Sequence, residues 1–431
     1  MRTWIKDFPN HVGEEVELRG WMYNLRSSGK IHFMQLRDGT GFIQGVVLKS
    51  DIGEDKFKAI KKLKIESSVI VKGMVRKENR APTGYEIDVK DVEIVQNPSE
   101  DYPISKKEHG IDFLFDHRHL WLRSKRQYAI LKIRDEIIWA IREYFHKNGY
   151  TLVDSPILTG AIGESAGNLF ELNYFDWTKA YLSQTGQLYL EAAIASLSKV
   201  YCFGPTFRAE KSKTRRHLSE FWMVEAELAY CDNECNMKVQ EELVSYIVEK
   251  VLSNRMEELK ILDRDIDKLK NIKPPFDKIS YDDAVKFLQA KGHDIKWGDD
   301  LGADDETELS NAHDTPLFVM NYPKEAKAFY MEPNPEDPKT VLCDDMLAPE
   351  GYGEIIGASQ RIHDPELLVQ KLKDNDLPVE AYDWYLDLRK WGSTPHSGFG
   401  LGIERTVAWV CGLKHVREAI PFPRTLNRLK P

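Results

Sequence analysis

The sequence predicts an α+β protein: a small closed barrel over residues 1–97, then a larger region in which strands alternate with helices. Two observations carry that division. Four early stretches, EEVELRGWMY, IHFMQLRDGTGFIQGVVL, SSVIVKGMVRK and YEIDVKDVEIV, alternate apolar and polar side chains as half-buried strands do. From Tyr150 onward, short strand-like runs are separated by segments of helical period.

Each element follows from local chemistry. Asp38-Gly39 is a turn dipeptide and splits the second stretch in two. In the fourth stretch Tyr85, Ile87 and Val89 face one way while Glu86, Asp88 and Lys90 face the other. About five short strands and one helical connector, residues 53–65, match a barrel of the OB type. Residues 98–118, polar with Pro and Gly, read as a linker to a domain spanning 119–431. That domain opens on an amphipathic helix. Ser124 is its N-cap, Ile130, Ile133, Ile137, Ile141 and Phe145 form its apolar stripe, and Gly149 stops it. The segment around 232–275 is helical and bears no obvious chemistry.

Composition bounds the function. A chain of 431 residues is long enough for two or three domains. The net charge of −9 excludes a uniformly basic nucleic-acid binder. The charge is uneven, however: residues 1–97 carry 17 Lys+Arg against 14 Asp+Glu, and the remainder 43 against 55. A mildly basic head on an acidic body is compatible with a polyanion bound at one end. No apolar run approaches the roughly 20 residues of a membrane span, and MRTWIKDFPN has no signal-peptide core, so a cytoplasmic protein without membrane contact is expected. Five scattered cysteines fit a reducing compartment, and Cys231 with Cys235 lacks the second pair that a structural zinc site needs.

Three stretches carry the chemistry: YTLVDSPIL, which follows the long helix and ends past Pro156; FRAE…RHLSEF, a charged hairpin; and GFGLGIERTVAWV, a glycine-rich strand delivering Arg405 at a helix start. GFGLG lacks the G-x-G-x-x-G spacing of a dinucleotide fingerprint, and no Walker A sequence is present. In this order the three stretches resemble the signature motifs of class II aminoacyl-tRNA synthetases. The preceding barrel narrows the likeness to the aspartyl/asparaginyl/lysyl group, over essentially the whole chain. The resemblance implies a catalytic domain built on an antiparallel sheet flanked by helices, ATP as substrate and Mg2+ as cofactor. The HIGH-like and KMSKS-like signatures of the Rossmann-type synthetases are missing.

Activation of an amino acid builds charge on phosphate oxygens, so fixed cations are what the chemistry requires. The resemblance assigns Arg208 to the α-phosphate and the substrate carboxylate. It gives Glu210 to the adenine amino group or the loop, and Arg216 and His217 to the outer phosphates. Phe221 is expected under the adenine ring. Arg405, delivered beside Gly402, is expected over the ring's other face and at the γ-phosphate. Asp345 and Glu354 match the family's metal-binding carboxylates, with Asp344 left as a surface or supporting residue. Glu164 and Gln187 match the binders of the substrate ammonium.

Substrate choice turns on a few positions. Aspartyl enzymes place a lysine against the substrate carboxylate in a Gln-Leu-Tyr-Lys run; here the run is GQLYLE, with Leu190 at that position. They also have aspartate where this chain has Glu225. Without the buried cation a negative side chain is costly to bind. Glu225 can accept from an amide NH2, and Arg361 can donate to the amide carbonyl. The pattern resembles the asparagine-specific branch of the group, which implies L-asparagine and its tRNA as substrates. In the barrel, Phe33 is expected to stack an anticodon base or else lie in the core, Gln44 to bond the middle uridine, and Arg26 to meet the backbone. Pro156 and the preceding helix resemble the family's dimer interface, which implies a homodimer. Three rival readings stay open: an aspartyl-type enzyme of relaxed specificity, opposed by Leu190 and Glu225; an asparagine synthetase-like paralogue, opposed by the barrel; and a regulatory protein with a dead synthetase domain, opposed by Arg208, Glu354 and Arg405.

Overall fold

A computed structural model describes residues 1–431 apart from 82, 106, 161–167, 177 and 213. It divides into two units, Met1–Leu114 and Phe115–Pro431. The alternating N-terminal stretches become β1 (Glu15–Ser28), β2 (Ile31–Arg37), β3 (Phe42–Leu48), β4 (Ser68–Lys77) and β5 (Tyr85–Gln96). They close into a barrel in the order β1-β2-β3-β5-β4. Its inside is packed by Leu18, Met34, Leu36, Val71, Ile87 and Val89, sealed by Phe57 and Ile60 of the connecting helix Glu54–Lys61. The Asp38 carboxylate accepts from the backbone N–H groups of Thr40 and Gly41, which builds the predicted turn.

The boundary between the units falls within the expected linker, 98–118. Residues 98–114 belong to the first unit and the second begins at Phe115. Arg118, placed in the linker by composition, is buried and donates to the carbonyls of Glu418, Ile420 and Pro421. A polar residue that feeds a buried carbonyl cluster reads as solvent-exposed in sequence.

In the second unit the helix Lys125–Lys147 is capped by Ser124, whose Oγ accepts from Gln127 N at 3.2 Å. The five stripe residues are all fully buried, and Gly149, at φ +77°, ends the helix. The helix leads to β6 (Thr151–Leu152). A small sheet follows, of β7 (Leu158–Thr159), β8 (Glu171–Tyr174) and β9 (Thr178–Leu182), in the order β7-β9-β8. The remaining strands are β10 (Lys199–Phe207), β11 (Glu220–Ala229), β12 (Asp277–Ser280), β13 (Leu317–Met320), β14 (Cys343–Ala348), β15 (Gly353–Arg361) and β16 (His396–Gly402). With β6 they form an eight-stranded sheet ordered β12-β13-β14-β15-β16-β11-β10-β6. It is antiparallel except for the outermost pair at each edge, β12/β13 and β10/β6.

The expected helical insertion is present as Asn233–Asn254, Met256–Ile261 and Ile266–Lys270. Leu243, Ile247, Val251 and Leu259 from it share the main core with Ile133 and Ile137. Two calls need correction. Cys231 and Cys235, read among five scattered cysteines that fit a reducing compartment, form a disulfide across the start of this insertion. Asp344, read in part as a surface residue, is wholly buried on β14. The alternation of β14 turns it to the side opposite Asp345, and burial raises its carboxyl to about 7.

Candidate active site

A cavity of about 630 Å³ lies over the central strands β11, β14, β15 and β16. Strand register explains which side chains meet there. Cys202, Glu225, Gly400, Gly357 and Asp345 stand opposite one another in sequence across five strands, with Glu227, Gly398 and Ser359 in the neighbouring row. Two glycines of β16 leave space that a side chain would fill, Gly398 against backbone and Gly400 against the tip of a flexible methionine. A Cβ on Gly398 would fall 2.1 Å from Glu227 Oε1, and one on Gly400 2.6 Å from Met223 Cε.

One end of the cavity is built for anions. Arg208 leaves the β10–β11 hairpin, where its backbone N–H donates to Ser219 O. Its guanidinium lies 5.4 Å from the Phe221 ring centroid. Its Nε is buried without a hydrogen-bond partner among the described residues. Arg405, in the first turn of the helix Ile403–Cys411, donates to the Glu354 carboxylate at 2.8 Å and to the Glu354 carbonyl at 3.0 Å. Burial pushes the Glu354 carboxyl up, but Arg405 and Lys327 outweigh it and hold the group well below the usual range. Gly402 caps that helix and leaves the floor open beside the Arg405 side chain.

Arg216 and His217 also line the cavity. Arg216 is already engaged, donating to Glu306 Oε2 at 2.7 Å, Thr307 Oγ1 at 2.6 Å and Gly351 O at 2.8 Å. His217 Nε2 meets Glu210 Oε2 at 3.1 Å. That contact, opposed by burial and helped by Arg208, lowers the Glu210 carboxyl.

The other end is a buried polar floor. Arg361 donates to Glu227 through Nη2 at 2.6 Å and Nε at 3.2 Å, and to Ser359 Oγ through Nη1 at 2.7 Å. Burial drives the Glu227 carboxyl upward, with Arg361 opposing. Glu225 receives the Thr185 hydroxyl, the Gly186 N–H at 2.7 Å and the Cys202 thiol at 3.4 Å. Gln187 lines the cavity and donates its amide nitrogen to Glu191.

Between the two ends, Asp345 and Glu354 converge above Gly357. A Cβ there would sit 3.3 Å from Glu354 Oε1 and 3.6 Å from Asp345 Oδ1. This all-oxygen donor pair suits a hard divalent cation that completes its shell with phosphate and water. Lys327, 2.7 Å from Asp345 Oδ2, supplies a neighbouring positive charge.

Thus Arg208, Glu210, Arg216, His217, Phe221, Glu354, Gly402, Arg405, Gln187, Glu225, Arg361 and Asp345 come together in one cavity. Leu190 does not. It is fully buried with Ile194, Val200 and Cys202 on the core side of the helix Gln187–Leu197, so the expected substrate contact is corrected to a packing role. Glu164 lies outside the described residues. Sequence reasoning missed Glu227, Lys327, Glu306 and Glu191. The first is visible as a second acidic residue on the same face of β11, and Glu191 closes the GQLYLE run; Lys327 and Glu306 carry no motif signal.

In the barrel, Phe33 alternates with buried His32 and Met34, so it faces outward rather than into the core. Exposed Arg26 is its register partner on β1. Gln44 lies on the same outer face and donates to Glu86 Oε1 at 2.6 Å.

The fold coincides with that of a known family. Residues 110–426 match the tRNA synthetases class II (D, K and N), and residues 16–95 match the OB-fold nucleic acid binding domain. The chain belongs to these class II tRNA synthetases. Among solved structures it is similar to the asparaginyl-tRNA synthetase of Pyrococcus horikoshii complexed with asparaginyl-adenylate: 49% identity, all of both chains covered, TM-score 0.96. It also resembles the Entamoeba histolytica asparaginyl-tRNA synthetase in complex with asparaginyl-adenylate, at 33% identity over all of both chains and a TM-score of 0.92. The putative aspartyl-tRNA synthetase of Leishmania major Friedlin is more distant, at 25% identity, 100% of this chain, 95% of that one and a TM-score of 0.86.

Proposed function

We propose that the chain joins L-asparagine to its tRNA in two steps. A carboxylate oxygen of asparagine attacks the α-phosphorus of ATP and pyrophosphate leaves. A ribose hydroxyl at the tRNA terminus then attacks the acyl carbon of the adenylate, and AMP leaves. The first nucleophile is already anionic, so the protein supplies positioning and charge rather than a base.

Arg208, whose Nε is buried without a partner among the described residues, takes the α-phosphate and the substrate carboxylate. Phe221 lies beneath the adenine, Glu210 receives its amino group, and Arg405 covers the opposite face and reaches the γ-phosphate. Arg216 and His217 meet the outer phosphates. Asp345 and Glu354 hold Mg2+, which neutralises phosphate charge when bound.

The choice of asparagine rests on one observation: the cation on the polar floor, Arg361, is already matched by Glu227. An aspartate side chain would bring a further charge into this buried end without a counterion, whereas a neutral amide does not. Arg361 donates to the amide oxygen, and Glu225 faces its nitrogen. Phe33, Arg26 and Gln44 form the anticodon surface. Exposed Leu152, Ile157 and Leu158 around Pro156 support a homodimer, and we place the enzyme in the cytoplasm. Charging of a tRNA transcript bearing the asparagine anticodon with radiolabelled asparagine tests the assignment. Failure to charge, with active ATP turnover, would refute it.

A further inference from the structure

We propose that Glu191 is a positioning residue that fixes the amide polarity of Gln187 and thereby makes the cavity an acceptor for the substrate's ammonium group. The proposal rests on the assignment of an amino acid to this cavity. The two residues stand one turn apart on the helix Gln187–Leu197. Gln187 Nε2 donates to Glu191 Oε1 at 3.0 Å. A side-chain amide has a donor end and an acceptor end of nearly equal shape, and only its partners decide which way it points. An ionised carboxylate accepts and never donates. The amide nitrogen is therefore committed to Glu191, and the carbonyl oxygen is the end left for the cavity that Gln187 lines. Reversed, the amide would present N–H groups to a cation.

Glu191 is kept ionised from behind the cavity. Arg389 Nη2 donates to its Oε2 at 2.6 Å, and the Tyr385 hydroxyl lies 2.8 Å from both oxygens. His396 Nε2 approaches Oε2 at 3.0 Å while its Nδ1 faces the Thr394 carbonyl at 2.8 Å. The two donors, Arg389 and Tyr385, come from the helix Asp383–Lys390, and the imidazole contact comes from the start of β16. Glu191 itself is 3% exposed, so water cannot replace them. A guanidinium and a hydroxyl on a sequestered carboxylate leave it one function toward Gln187, that of an acceptor.

The test is ATP–pyrophosphate exchange on the full-length enzyme, with KM for L-asparagine and for ATP measured separately. The inhibition constant of succinamic acid, asparagine without its ammonium group, is measured alongside. Glu191→Gln frees the amide to turn. Glu191→Asp keeps a charge for Arg389 but withdraws the oxygen from Gln187, and serves if the first variant does not fold. In each, KM for asparagine should rise about tenfold or more. KM for ATP and inhibition by succinamic acid should stay within about twofold. Neither substitution should add to the effect of Gln187→Met. Equal weakening of asparagine and succinamic acid, or of asparagine and ATP, would make Glu191 a structural residue and overturn the proposal. An unchanged asparagine KM in Gln187→Met alone would instead refute the ammonium assignment, and the proposal with it.

Discussion

Arg208 and Arg405 face the same cavity in different company. Arg405 is tethered to Glu354 at 2.8 Å, whereas among the described residues Arg208 rests on an aromatic face with an unpartnered Nε. A buried donor without a partner is costly unless a ligand supplies one. Arg208→Lys keeps the charge but loses the planar fork, and should lower kcat/KM for exchange about a hundredfold, with the melting temperature nearly unchanged. A second residue-scale prediction concerns acid. Partial burial, with Arg417 and Arg215 nearby, pushes the His415 imidazole down to about 4, and its Nδ1 accepts from Arg417 N at 3.2 Å. The neutral ring is thus the folded form. Its contribution is present above the unfolded value near 6.5 and is lost as pH falls toward 4. His415→Asn, which keeps a capping acceptor, should show a smaller fall in melting temperature between pH 7 and about 4.5 than the parent chain. An equal fall would exclude this group as an acid trigger.

Elements convert these residues into a site through register. Strand β16 carries no charged side chain into the cavity, yet its glycines decide what its neighbours can do. Gly398→Ala would drive a methyl group into Glu227 Oε1 and the Ala226 carbonyl. Displacing Glu227 unseats Arg361 from two of its hydrogen bonds. We expect asparagine KM to rise more than ATP KM, read by exchange kinetics, because the anion end lies at the other side of the cavity. At this scale the sequence was legible where period and punctuation agreed: the Ser124 cap, the Ile130–Phe145 stripe, the Asp38-Gly39 turn and the barrel strands. It was illegible where a side chain's direction depends on a partner far along the chain. Leu190 sat at a motif position but turns into the core, and Glu306 reaches Arg216 from 90 residues away. Glu191 adjoins a motif residue, yet its partners Arg389 and His396 lie about two hundred positions further on.

The whole molecule pairs a small barrel with a larger enzyme unit. The barrel's outer face presents Phe33 and Arg26, while the cavity of the second unit gathers Arg208, Arg216 and Arg405 at one end and the matched Arg361–Glu227 pair at the other. Motif order identified this family, and two of its three motifs, the charged hairpin and the glycine-rich strand, line the same cavity. It did not reveal the balance of the floor, since Glu227 and Arg361 are matched only once β11 and β15 flank β16. That balance is the central claim, and amino-acid-dependent ATP–pyrophosphate exchange tests it directly, with asparagine and aspartate compared at equal concentration. Exchange driven by asparagine, with aspartate inactive, is the predicted result. Equal or greater exchange with aspartate would contradict a floor whose cation is already matched.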